Sequence, residues 1–345
     1  MNFGLIGAGA IGQVRAGALA KTPGCRLVAV ADPEPDRARA AGGAPCFSDY
    51  RRLLDLADVQ AVVVSTPPAL HEQITLSALQ AGKHVLCEKP LANSLAACRR
   101  MVEAARQAGR LLATGFNHRY FPAVQFLKRT LDSGHIGELD HVRAFAGHAG
   151  LSEFQAPWMH NKDAIGGGAL LDVGIHVLDL VRYILGEVSQ VYGIATGNIW
   201  KLDRAEDNGF ALLRSPTGKV ATLQASWSEW KGYRFFVEAY GDRGMARAYY
   251  APMFAMAIRM DRPGGARRRE FHFYPGIALR EKLRGWQTTT ALAFGQELQD
   301  FARLASGEPA SRLTLADGFA GLRAVEIANA IYESAALGRA VELLA

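Results

Sequence analysis

The stretch at residues 3–12 constrains the fold of this chain more than any other. A short apolar run enters a turn built on Gly7, Gly9 and Gly12, and a helical pattern follows at once. In such a turn the first glycine permits the tight bend. The second lets the backbone approach a pyrophosphate, and the third lets the helix pack close to the strand. The N–H groups at the helix start then face the anion. Gly7, Gly9, Ala10, Ile11 and Gly12 are therefore expected to surround a dinucleotide. Asp32 stands twenty residues after Gly12, at the end of the next apolar run, where an acidic side chain accepts the adenosine ribose hydroxyls. It would repel a 2′-phosphate, so NAD is expected over NADP. It would serve equally to cap a helix starting near Pro33, and Arg37 and Arg39 follow close enough to answer a phosphate.

Apolar runs rich in Val, Leu and Ile recur at 3–7, 26–31, 61–65, 84–87 and 111–115. Such runs suit strands buried on both faces of a parallel sheet. Helical patterns fall between them at 10–20, 34–42, 49–56, 69–81 and 94–108, with Ser94 as an N-cap and Gly82 and Gly109 at C-termini. This alternation predicts an α/β doubly wound Rossmann domain over 1–118. After residue 115 the pattern changes. A helix at 121–132 and a strand at 138–148 lead to an irregular stretch containing Pro157, Trp158 and three glycines at 166–168. One helix follows at 169–185, then strand-like sequence from 187 to 273 broken by turn signals, then helical stretches at 288–305 and 314–337. The second domain, 119–345, is expected to be α+β with an open, mainly antiparallel sheet. Val220, Leu223, Phe235, Phe236 and Val237 alternate in phase, so both sheet faces should be covered, one by helices and the other by a second subunit.

With 345 residues the chain suits two domains. Its 39 basic and 33 acidic residues leave a charge of +6, too modest to indicate nucleic acid. The arginines at 267–269 read as a solvated turn and strand edge. Cysteines 25, 46, 87 and 98 show no Cys-x-x-Cys spacing, which argues against a disulfide scaffold or a zinc site. Reduced thiols suit a reducing, cytoplasmic compartment. No apolar run reads as a membrane span, and the glycine turn begins too early for a signal peptide.

The chemistry-bearing residues lie at expected strand ends and on one helix. Thr66, Pro67 and His71 follow the third long apolar run, where they either line the cofactor or form a proline turn with a surface histidine. Glu88-Lys89-Pro90 ends the next run. Lys89 there either donates to a substrate oxygen or is a solvated charge. Asp172 and His176, four residues apart, share a helix face, with Asp179 nearly in line. They form either a proton-abstracting pair or an internally satisfied one. Metal ligation is not expected, since no further ligand set is evident and Lys89 would repel a cation.

In these motifs the chain resembles the Gfo/Idh/MocA oxidoreductases, named for glucose–fructose oxidoreductase, inositol dehydrogenase and rhizopine catabolism. The resemblance runs over nearly the whole length. It rests on the glycine turn, Thr66-Pro67-Pro68 with His71, Glu88-Lys89-Pro90, Gly115-Phe116-Asn117 with Arg119, the glycines at 166–168, and Asp172/Gly174/His176. It implies that Lys89, Asp172 and His176 are catalytic and that Glu88, Lys89 and Asn117 join the cofactor site. It also implies assembly as a homodimer or homotetramer. The expected reaction is NAD-dependent oxidation of a secondary alcohol of a cyclic polyol, sugar or glycoside. Trp158 and Asn161, with His160, Lys162 and Asp163 beside them, are candidates to hold the substrate; Trp158 would stack on a sugar or fill the core. Trp227, Glu229, Trp230 and Tyr233 would reach the substrate or serve assembly. The alternatives are an NAD-dependent glycosidase working through transient oxidation, an imine or biliverdin-type reductase, and a catalytically silent sugar/NAD sensor.

Overall fold

The computed structural model describes residues 1–42, 45–150, 158, 161–203, 205–308 and 314–343. They form two compact units. The first comprises Met1–Tyr120 and Glu281–Arg323, the second Phe121–Arg280 and Ala324–Ala345.

The first unit is built on six parallel strands: β1 (Asn2–Ile6), β2 (Arg26–Ala31), β3 (Cys46–Phe47), β4 (Ala61–Val64), β5 (His84–Cys87) and β6 (Leu112–Thr114). Their order is β3-β2-β1-β4-β5-β6, so the winding reverses between β1 and β4, the position where such sheets bind ligands. The strands read as unbroken apolar runs because helices cover both faces; every residue of β4 is buried. Helix Leu95–Ala108 shows how its ends are set. Ser94 accepts the Ala97 N–H, and Gly109 closes the helix at φ 60°. Helix Gln287–Ala305, which a boundary after residue 118 would give to the second domain, packs on helix Ala10–Leu19 of the first unit. Phe294, Leu298 and Phe301 join Phe3, Leu5 and Leu19 in one core.

The second unit holds a nine-stranded sheet. Its strands are β7 (Leu139–Gly147), β8 (Gln190–Thr196), β9 (Asn208–Arg214), β10 (Val220–Ser226), β11 (Arg234–Gly241), β12 (Gly244–Tyr250), β13 (Phe254–Arg259), β14 (Arg268–Phe273) and β15 (Val341–Glu342). The order is β14-β13-β12-β11-β7-β10-β9-β8-β15. Every neighbouring pair is antiparallel except β7 and β10, which run parallel with Gly147 level with Ser226. Helices Pro122–Asp132 and Ile175–Leu185 cover one face, against which Leu223, Phe235 and Val237 are buried. The opposite phase leaves Tyr192, Ile194, Phe210, Leu212 and Val220 exposed.

The helix expected over 169–185 is not continuous. Leu170–Gly174 form a π-helical turn that passes into the α-helix Ile175–Leu185. Asp163–Leu185 has the length and mean hydropathy (1.6) of a membrane span, against the sequence expectation, but 89% of its most apolar window is buried inside the protein.

Candidate active site

In the first unit, parallel register lines up one rim of strand ends. Ile6 is level with Ala31 and Val64, Val64 with Cys87, and Cys87 with Thr114. Asp32, Gly7, Ser65, Glu88 and Gly115, the residues next in sequence, therefore emerge side by side. Gly12 packs so close under the turn that a Cβ would lie 2.1 Å from the Gly7 carbonyl oxygen, whereas a Cβ at Gly9 would meet nothing within 4 Å. The turn is thus tight beneath and open above, which fits a pyrophosphate resting on Gly9. Asp32 is held beside it. Its Oδ2 accepts the Ala8 N–H at 2.7 Å and its Oδ1 the Glu34 N–H at 2.9 Å. Each carboxylate oxygen has lone-pair capacity beyond one bond, so this anchoring is compatible with ribose hydroxyls. The expected capping role is not realised, because the next helix starts at Pro35 with Glu34 at its N-cap and no side-chain cap bond. Gln13 donates to the carbonyls of Ala8 and Arg37, tying the turn to the chain beyond β2. Arg39 is exposed and pairs with Asp36.

His71 is fully buried. It is therefore not the surface histidine of one sequence reading. Its Nε2 lies 2.8 Å from the Thr66 carbonyl and its Nδ1 3.0 Å from that of Pro90, so it fastens the loop after β4 to the loop after β5 from behind. Burial pushes its pKa down, against the pull of these carbonyls. Thr66 Oγ1 has no hydrogen-bond partner among the described residues.

Glu88 and Lys89 rest on a buried ion cluster that sequence reading missed. Arg15, on the helix after the glycine turn, donates from Nε to Glu88 at 2.7 Å and from Nη1 to Glu297 at 2.5 Å. Its guanidinium also lies 3.4 Å from the centre of the Phe294 ring. One cation is shared by two carboxylates, and burial pushes Glu297 up to about 7 despite it. Lys89, partly exposed, begins the cis Lys89–Pro90 bond. His118, in the 3-10 turn Asn117–Tyr120, is pushed down to about 3 by burial and then by the charge of Lys89. A neutral imidazole therefore stands in the field of this lysine. Asn117 is buried in the same turn, which Tyr120 fixes by donating to Asp300 at 2.9 Å.

In the second unit Asp172, His176 and Asp179 are all buried. The π turn carries Asp172. Its bonds close at i→i+5, so residues four to five apart stay on one face, and turns of this kind frequently mark functional sites. Glu206 clamps the start of the turn, accepting the N–H groups of Gly168 at 2.8 Å and Leu170 at 2.7 Å and the Tyr332 hydroxyl at 3.0 Å. A Cβ at Gly168 would lie 2.1 Å from the Glu206 carbonyl oxygen, so the glycine is a packing requirement. Asp172 Oδ2 receives two donors at 3.0 Å, His148 Nε2 and Trp227 Nε1. Trp227 is wholly buried, which removes it from the aromatic residues expected to stack on a substrate or serve assembly. His148 went unnoticed because nothing in the local pattern distinguishes a histidine at a strand end. Trp158 is 37% exposed. Asn161 is exposed, and its Oδ1 accepts the Asp163 N–H, starting the short helix Lys162–Ile165. His160 lies outside the described residues.

Comparison with known proteins identifies the family. Residues 1–116 match the oxidoreductase family with an NAD-binding Rossmann fold, and residues 124–247 match the GFO/IDH/MocA C-terminal domain. Inositol 2-dehydrogenase 2 of Saccharopolyspora erythraea is 31% identical over 98% of this chain and 94% of its own. Levoglucosan dehydrogenase of Pseudarthrobacter phenanthrenivorans is 32% identical over a stretch covering 61% of this chain and 57% of that enzyme. A solved structure of levoglucosan dehydrogenase in complex with NADH and L-sorbose superimposes with a TM-score of 0.86 at 26% identity, covering 100% of this chain and 99% of that one. Two family models matched in order, over residues 1–116 and 124–247, and a relative 31% identical over 98% of the chain make it a member of the Gfo/Idh/MocA family of NAD-binding oxidoreductases.

Proposed function

We propose that this protein is an NAD-dependent dehydrogenase that oxidises a secondary alcohol carbon of a cyclic polyol, sugar or glycoside. The observation that carries the reading is the rim of the first sheet. Glu88 emerges level with Gly7 and Ser65, so Lys89 stands on the same strand ends as the glycine turn. The relatives named for inositol and levoglucosan support the substrate class.

Bound NAD supplies a two-electron acceptor for the hydride that leaves the carbinol carbon. The chain does the rest. Gly7, Gly9, Ala10, Ile11 and Gly12 receive the pyrophosphate, Asp32 takes the ribose hydroxyls, and Thr66, Pro67, Glu88 and Asn117 shape the rim. His71 keeps its place behind that rim. Lys89 holds the reacting oxygen and stabilises its growing negative charge. His176 takes the hydroxyl proton as the C–O bond becomes a carbonyl. An ordinary imidazole titrates near 6.5, closer to a working pH than a carboxylate. Asp172 orients a neighbouring substrate hydroxyl and balances local charge, while Trp158 and Asn161 contact the sugar.

The test is NADH formation across inositols, aldoses, anhydrosugars and glycosides, with NADP in parallel and Asp32→Ala beside the wild type. Expected are turnover of at least one polyol or sugar, higher kcat/KM with NAD, and erosion of that preference in Asp32→Ala. No turnover by a protein that binds NADH overturns the reading. Release of an aglycone without net NADH points to redox-driven glycoside cleavage.

The uncovered sheet face supports a homo-oligomer. Tyr192, Ile194, Phe210 and Leu212 line one exposed apolar surface with Thr222 and Gln224, and such surfaces mark association sites. A second copy is the occupant. Light scattering at micromolar concentration should give a dimer or tetramer, and Leu212→Glu should shift it towards monomer; a monomeric wild type overturns the assignment. The four cysteines are unbridged, which supports a reducing compartment, and we place the enzyme in the cytoplasm.

A further inference from the structure

We propose that His148 is a positioning residue for the reaction. It acts through Asp172 as a neutral imidazole with its proton on Nε2. The inference rests on the dehydrogenase reading above.

The backbone places it. β7 and β10 are the one parallel pair described in the second sheet, and they end in register at Gly147 and Ser226. The residues that follow, His148 and Trp227, leave the sheet side by side. Their main chains are fixed by His148 N–H to the Ser226 carbonyl at 3.0 Å and Trp227 N–H to the Asp207 carbonyl at 2.7 Å. An antiparallel pair would let the two chains leave at opposite ends of the strands. The parallel pair delivers two ring N–H groups to one carboxylate oxygen.

The tautomer follows from the partners. The Gly150 N–H donates to His148 Nδ1 at 2.9 Å, so Nδ1 bears a lone pair and no proton. The ring proton is then on Nε2, 3.0 Å from Asp172 Oδ2. The carboxylate can only accept, so the chain Gly150 N–H, imidazole, Asp172 has a single direction. Trp227 Nε1 can only donate, and it meets the same oxygen. A buried carboxylate without such donors is costly. With them, Asp172 is held in one rotamer on the π turn that leads into His176.

His148 therefore has two separable roles. Nδ1 anchors the loop at Gly150, and Nε2 orients Asp172. His148→Asn keeps an acceptor near the Nδ1 position but falls short of Asp172. His148→Gln places an amide donor near the Nε2 position and loses the Gly150 anchor. The experiment measures kcat, KM and NADH affinity for wild type and both variants of the full chain, using the polyol that the wild type oxidises best. His148→Asn should lose about tenfold or more in kcat, the scale at which a misplaced group is felt. NADH affinity should stay within about twofold, and His148→Gln should recover most of the loss. Trp227→Phe, which removes the other donor, should also lower kcat. The proposal is overturned if His148→Asn keeps wild-type kcat, or if Gln is no better than Asn, the result of a purely loop-anchoring histidine. A wild type that oxidises no polyol is a different failure, that of the dehydrogenase reading.

Discussion

His176→Ala and Lys89→Ala should each lower kcat by roughly 10²-fold or more, the scale of a lost general base or oxyanion partner, while NADH still binds. The two residues belong to different compact units, and neither substitution touches the glycine turn or Asp32. His176 is 8% exposed at the second position of the helix that continues the π turn, on a different element from the glycine turn and Asp32. Steady-state rates across pH, with NADH titrated by fluorescence, separate the effects. A general base gives the wild type an acidic limb that His176→Ala loses. Near-normal kcat in His176→Ala with an unchanged pH profile would make the histidine a structural partner of its helix, and the base would have to be another group.

The largest effect on stability should come from Arg15→Met. The substitution preserves bulk but leaves Glu88 and Glu297 buried with no cation between them, and breaking a buried pair in this way costs about 3–5 kcal/mol. The stacking on Phe294 is lost as well. The same cluster sets a pH dependence. Burial raises Glu297 to about 7, above the roughly 4.3 of a free glutamate. The folded state therefore holds a proton that the unfolded chain releases between those values. Stability from this group is fully present below about 4.3 and is lost as pH rises through about 7. Thermal melts should show the wild type losing stability from pH 5 to pH 8, and Glu297→Gln, which cannot ionise, should flatten the slope. An Arg15→Met protein that melts with the wild type at pH 7 would contradict this account of the cluster.

How much of this was legible in the sequence depends on the range of the pattern involved. The parallel sheet was, because strands covered on both faces read as unbroken apolar runs, as in β4. The glycine turn and Asp32 were, because both sit in one βαβ unit. Asp172 and His176 were found by spacing, but spacing did not distinguish a π turn from an α-helix, since both keep residues four apart near one face. Arg15 and Glu297 are 282 residues apart in the chain; each reads alone as an ordinary charged helix residue, and only folding shows that they meet. The parallel pairing of β7 and β10 was equally hidden, because a strand's side-chain pattern carries its two faces and not the direction of its neighbour. His148 and Trp227 acquire their place from that pairing alone.

The make-up of the first unit has a consequence for synthesis. Its opening strand is translated long before residues 281–323, which supply Glu297, Phe294 and Phe301. Until those are translated, Arg15 lacks one of its two carboxylates and Phe3 lacks its aromatic neighbour at 5.8 Å. A nascent chain halted after residue 120 would hold every glycine of the nucleotide turn on an unfinished core. Domains usually complete themselves in the order in which they are made. Here the nucleotide-binding half must wait for the bulk of the other half to be synthesised before its own interior can close.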